Sequence, residues 1–129
     1  MLIILLQFFS FCSKDSVLQA NDELVGTKWE SKVAEDCTDS LQFKPNQIVR
    51  EYSCEAGEWY KGSYRLSNDT LVTSYVNDSE GGVKEYWRVR YLYKGNLLKA
   101  IGSQSYSKGK WQKEKPLTDA RYVYKRVKK

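Results

Sequence analysis

From Val25 onward, apolar and polar residues alternate in short runs separated by turn-forming residues. In VKEYWRVRYLY, Val83, Glu85, Trp87, Val89, Tyr91 and Tyr93 fall on one side of an extended chain. Lys84, Tyr86, Arg88, Arg90 and Leu92 fall on the other, because successive side chains of a strand point to opposite faces. That division predicts a strand with one face on a core and the other in water. The same alternation predicts strands over 25–33, 39–44, 47–54, 58–66, 70–77, 82–93, 96–103 and 120–128. PN, EAG, SND, DSEGG and KGN punctuate them. The stretch from 104 to 119 contains KGKWQKE, a ninth short strand or an ordered loop around Trp111. Helical spacing is poor throughout this region. A succession of about eight strands with tight turns predicts an all-β fold. The expected form is an antiparallel up-and-down β-barrel, with a sandwich as the alternative.

The inward sets predicted by parity are rich in rings. They are Val25, Thr27, Trp29 and Ser31; Tyr60, Gly62, Tyr64 and Leu66; Leu71, Thr73 and Tyr75; and Tyr122 with Tyr124. Among these, Trp29, Tyr60, Tyr64 and Tyr75, together with Phe43, Trp87 and Tyr91, are candidates to line a ligand cavity, their rings apolar and the tyrosine hydroxyls able to orient a ligand. They could equally fill the barrel and bond one another, since an eight-stranded barrel is just wide enough for either. Glu85 shares the inward face of its strand. A buried carboxylate must be paired or protonated, so Glu85 is either a polar anchor inside the cavity or a strand-end residue reaching water at the barrel mouth. The second is favoured, because charged side chains are seldom fully buried.

The first twelve residues read differently. Leu2 to Phe11 is apolar apart from Gln7 and Ser10, and the composition then changes abruptly to SKDS. The run is too short to span a bilayer as a helix and fits the apolar region of an export signal. Cys12 at its end is the candidate lipidation site, as in a lipoprotein leader. A cut after Ala20 and a buried N-terminal strand are the competing readings. The expected organisation is a leader over 1–12, a polar linker over 13–23 and one barrel domain over 24–129, in an exported, envelope-anchored protein.

Setting Cys12 apart leaves Cys37 and Cys54 of the three cysteines. An even pair in an exported chain suggests a disulfide, and the intervening TDSLQFK-PN-QIVREYS reads as a hairpin turning at Pro45–Asn46. In a two-residue hairpin the cysteines face each other, on one face with Leu41, Phe43, Ile48 and Tyr52. A bulge after Asn46 shifts the register by one.

Composition narrows the chemistry further. The chain has no histidine, which removes Ser-His-Asp and Cys-His nucleophiles and the usual imidazole metal sites. A carboxylate pair such as Glu51 and Glu85 is not brought together by its spacing, so no enzyme activity, cofactor or metal is expected. The net charge is +5, with basic residues scattered except for KRVKK at the end. That cluster reads as a solvated terminus, and no nucleic-acid partner is expected.

LVGTKWES, SLQFKPNQIV, GSYRLSNDTLVTSY and YVYKRV together resemble the lipocalin-like domains of exported lipoproteins of Bacteroidetes-type bacteria, over roughly 24–127. Where the family's first hairpin often turns on Gly, this chain has Gln47. The resemblance implies a small exported barrel, often lipid-anchored, with no established reaction and no catalytic residues to carry over. It also implies that Trp29 packs across the closed end against a basic residue of the last strand, Arg121 or Arg126. Two functions follow: a barrel binding a small apolar or amphipathic molecule, or a packed barrel contacting another envelope protein or a polysaccharide. The second would use loops or the outward Lys61, Lys84, Arg88 and Arg90.

Overall fold

The structure, a computed structural model, describes residues 23–78 and 84–128. The leader with Cys12, the linker to residue 22 and Val83 lie outside the described residues. Ten strands follow one another: β1 (Lys28–Ala34), β2 (Cys37–Lys44), β3 (Ile48–Ser53), β4 (Glu58–Ser67), β5 (Thr70–Asp78), β6 (Lys84–Lys94), β7 (Leu97–Ser107), β8 (Lys110–Trp111), β9 (Lys115–Pro116) and β10 (Val123–Arg126). Each of β1 to β7 pairs antiparallel with the next, and β10 pairs with both β1 and β7. The result is a closed, eight-stranded, antiparallel up-and-down barrel. Closure removes the free edges that an open sheet would expose.

One edge of β7 serves three partners in turn. Leu97 to Lys99 pair with β10, Gly102 and Ser103 with β9, and Tyr106 and Ser107 with β8. The stretch around Trp111 therefore does form a ninth short strand, β8, and adds the two-residue β9 after it. A single 3₁₀ turn, Ala120–Tyr122, capped by the Asp119 side chain, leads into β10. The first strand begins at Lys28, so of the residues expected in it Val25 belongs to the turn before it and Thr27 lies between that turn and the strand.

The barrel has a closed and an open end. At the closed end Leu24, Trp29, Leu41, Phe43, Val49, Tyr64, Leu66, Leu71 and Leu98 are buried together. Gly26 N–H donates to the Phe43 carbonyl at 2.9 Å, and Trp29 Nε1 donates to Thr27 Oγ1 at 2.9 Å. The Arg126 guanidinium lies 5.8 Å from the Trp29 ring centre, opposite it on β10. Of the two expected partners of Trp29, Arg126 is the one in contact; Arg121 instead lies over Tyr122 at 4.9 Å.

The β2–β3 hairpin corrects a predicted face. Lys44 pairs with Ile48 across Pro45, Asn46 and Gln47, and Phe43 pairs with Val49. Asn46 and Gln47 both take the left-handed backbone, with φ of 64° and 60°, a conformation that is uncommon without glycine. The extra residue moves the register by one. Val49, Glu51 and Ser53 therefore turn inward, whereas Ile48 and Tyr52 share the outer face with Arg50.

Cys37 and Cys54 are nonetheless bridged, with Cα atoms 5.4 Å apart. Cys54 lies just beyond β3, free of the ladder, and its N–H donates to Asp39 Oδ1 at 2.8 Å. That bond draws the chain end over β2 and brings the second sulfur within reach of Cys37.

Candidate functional site at the barrel mouth

The inward turn of β3 decides the chemistry of the open end. Glu51 pairs across the ladder with Leu41, and Asp39 stands two residues before Leu41 on the same face of β2. The two carboxyl groups are diagonal neighbours on the inner wall. With Tyr91 of β6, Ser103 of β7, and Tyr122 and Tyr124 around the 3₁₀ turn, they line a cavity of about 270 Å³. It opens past Glu55 and Arg121, both exposed. The strand β10 is too short to close this side of the barrel fully, and the 3₁₀ turn with Leu117 takes over its role. Ser31 fixes that turn by donating from Oγ to the Arg121 carbonyl at 2.5 Å.

Burial raises the Glu51 carboxyl to a pKa of about 7; the nearby Tyr75 hydroxyl counteracts this in part and the Asp39 charge adds to it. Burial also pushes the Tyr75 and Tyr91 hydroxyls well above the usual range, and Glu51 contributes to both shifts. Tyr124 moves in the same direction for the same causes. Thr73 and Tyr75, 0% and 1% exposed, sit just behind this wall. The Tyr75 hydroxyl lies near both the Thr73 hydroxyl and the Glu51 carboxyl, yet neither hydroxyl has a hydrogen bond of full geometry among the described residues. Unpaired buried hydroxyls are costly, about 1–3 kcal/mol each, and such groups call for an explanation.

The rim is tied together more loosely. Arg121 Nη1 stands 3.4 Å from Glu55 Oε1, and its Nη2 donates to the Tyr122 hydroxyl at 2.8 Å. Both side chains of the pair are well exposed, and exposed pairs contribute little.

The residues expected to line a cavity divide between core and mouth. Trp29, Phe43 and Tyr64 fill the closed end, with Phe43 edge-on to Tyr64 at 4.9 Å. Tyr75 stacks on Trp87 at 5.2 Å, and Tyr60 meets Trp87 edge-on at 5.4 Å, which fills the β4–β6 side of the open end. Tyr91 lines the cavity. Glu85 lies at the end of β6 opposite Asn77 and is exposed. Parity alone did not single out Asp39, Glu51 or Ser103. The signal that could have found Glu51 is the choice of Val49 rather than Ile48 as the inward residue of β3.

The outer surface is also less free than its charge implied. Arg88 lies 4.1 Å from the Trp111 ring centre and donates from Nε to Gln104 at 2.7 Å. Arg90 makes a two-pronged contact with Glu114, Nη2 to Oε1 at 2.7 Å and Nε to Oε2 at 3.0 Å. That contact holds the Glu114 carboxyl below the usual range. Two of the outward cations therefore hold the β8–β9 segment against the barrel.

Among the described residues no cluster of three or more Cys, Asp or Glu is disposed to hold a metal. A larger hollow of about 640 Å³ lies outside the closed end beside Gly26, Asn96 and Arg126. No unpaired buried hydroxyl adjoins it, and the mouth is the stronger candidate. Comparison with family models, curated proteins and solved structures returned no match.

Proposed function

We propose that this chain is an exported, lipid-anchored binding module of lipocalin-like type that holds a small amphipathic molecule in the mouth of its barrel. The observation that carries the reading is the cavity of about 270 Å³, lined by tyrosines and three carboxyl groups, with unpaired buried hydroxyls behind it. Ligand sites combine apolar walls with a few convergent polar groups, and perturbed titrating groups cluster at functional sites. The apolar run ending at Cys12 supports the anchor, and the Cys37–Cys54 bridge supports an oxidising compartment. The lipocalin-like assignment rests on the sequence resemblance and agrees with the eight-stranded barrel.

Native mass spectrometry of the full chain isolated from its membrane is the test. A small molecule retained at one per chain, and lost when Ser103→Phe fills the cavity, is the expected result. A chain that carries nothing, or that retains the molecule unchanged in Ser103→Phe, contradicts it.

An interaction surface is the second reading. Tyr86, Tyr106 and Trp111 form an outer strip, with centroids 5.9 and 5.5 Å apart, in which Tyr86 and Tyr106 are exposed. It would act through these rings rather than through Arg88 and Arg90, which are engaged within the chain.

A further inference from the structure

We infer that the mouth cavity takes a small organic cation, a primary ammonium on a short aromatic or apolar body, with Glu51 as its counter-ion. This rests on the binding reading above and adds to it the charge and size of the ligand. The charges around the cavity differ in how they are already engaged. Asp39 accepts the Cys54 N–H through Oδ1 at 2.8 Å. Glu55 and Arg121 face each other across the rim, and Arg121 also donates to Tyr122. Glu51 takes part in none of the ion pairs among the described residues. It faces Asp39 from β2, Tyr60 from β4, Tyr75 from β5, Tyr91 from β6 and Tyr124 from β10, none of them a cation; the one cation lining the cavity is Arg121 of the 3₁₀ turn, held at the rim by Glu55 and Tyr122.

A carboxylate in that position lacks compensation. Removing an ion from water is costly unless an opposite charge and hydrogen bonds accompany it. An ammonium supplies the charge and three N–H donors. One reaches Glu51, and the Asp39 carboxyl and the Ser103 hydroxyl, which line the same cavity, are acceptors for the others. Tyr91 and Tyr124, which also line the cavity, bring aromatic rings beside the head group, and such rings attract a cation. An anionic head group in the same place would oppose both Asp39 and Glu51, and Arg121 at the rim is already engaged by Glu55 and Tyr122. The volume, about 270 Å³, suits a small body rather than a long acyl chain seated at full length. A metal ion is a poorer fit, because the carboxyl groups do not gather into a ligand cluster among the described residues.

Proton linkage gives this site a signature. With its carboxyl poised at a pKa of about 7, Glu51 is partly protonated near neutrality, and a bound cation favours its charged form. Ammonium binding therefore releases protons from Glu51, and affinity falls as pH drops below 7.

Calorimetric titration of the full chain with phenethylammonium, its neutral counterpart 2-phenylethanol, the anion phenylacetate and the fatty acid laurate tests the inference. Phenethylammonium is expected to bind at least about tenfold more tightly than 2-phenylethanol, with phenylacetate weaker still. Repeating the titration at pH 7 in buffers of different ionisation enthalpy should show release of about half a proton per ligand. Glu51→Gln should lose about tenfold for the amine, change 2-phenylethanol far less and abolish the proton release. An unchanged melting transition or a higher one shows that this variant is folded. Equal affinity for the amine and the alcohol, preference for phenylacetate or laurate, or full amine affinity in Glu51→Gln overturns the cation assignment and leaves the binding module standing. Failure of all four probes to bind overturns both.

Discussion

Glu51 is the residue on which site and stability meet. Its carboxyl binds a proton more tightly in the folded chain than in the unfolded one, because burial raises it from 4.5 to about 7. The sign follows from linkage: the group costs nothing while it stays protonated, and its cost grows as pH rises from 4.5 to about 7. Glu51→Gln should therefore match the parent stability at pH 4 and exceed it at pH 8 by about 1–3 kcal/mol, read from urea unfolding at both values. A variant less stable at pH 8 would mean that Glu51 is already paired. The neighbouring hydroxyl gives a second check. Thr73→Val keeps the shape and removes an unpaired polar atom, so it should be neutral or stabilising by up to about 1 kcal/mol in thermal unfolding. A loss larger than that would reveal a hydrogen bond at Thr73. The sequence pointed to Glu85 instead of Glu51 for a physical reason. In QIVREYSC both Ile48 and Val49 can serve as the core residue, and the Ile48 face carries more apolar side chains. The choice is made by the backbone at Asn46 and Gln47, a local conformation that apolar alternation does not encode. The sequence rule fails where the site is, as functional positions often depart from local consistency.

At the scale of the strands, most of the barrel was legible because half-buried strands alternate. Leu71, Thr73 and Tyr75 on β5 face Tyr91, Val89 and Trp87 on β6 in the predicted parity. Two details depend on close approach between elements and were not readable. Gly62 on β4 pairs with Tyr75, and a Cβ there would come within 2.3 Å of the Ser74 carbonyl and 2.6 Å of the Tyr75 ring. Tyr75 can stack on Trp87 only because that position lacks a side chain. Gly62→Ala should destabilise by about 1–3 kcal/mol through overpacking, measured by denaturant unfolding, whereas an unchanged midpoint would show that the ring can move aside without loss. The second detail is the outer strip. Arg88 and Arg90 looked like free surface charge because their partners, Trp111 and Glu114, come from a segment whose docking no strand pattern announces. Glu114 crosses directly over Gly102, where a Cβ would lie 2.3 Å from its carboxyl carbon.

For the whole molecule, closure and the disulfide act together. The bridge between Cys37 and Cys54 closes a separation of 17 residues and ties the β2–β3 hairpin at the end that carries the cavity. Replacing both cysteines with serine should lower stability by about 3 kcal/mol, on the loop-entropy estimate. The same double variant should weaken the Cys54–Asp39 bond and with it the rim. Thermal unfolding with and without reductant checks the first effect: reductant should lower the parent's midpoint and leave the variant's unchanged. The pairing was legible from cysteine count and spacing, but its geometry was not, since the ladder register places the two residues off the direct opposition that a two-residue turn would give. The central claim, that the barrel mouth is a binding site, is tested most directly by amide NMR of the folded chain titrated with a small-fragment library. Shifts gathered at Asp39, Glu51, Ser103, Leu117 and Tyr124, all lining the cavity, are expected. Shifts confined to the outer strip at Tyr86, Tyr106 and Trp111, or none at all, would contradict it.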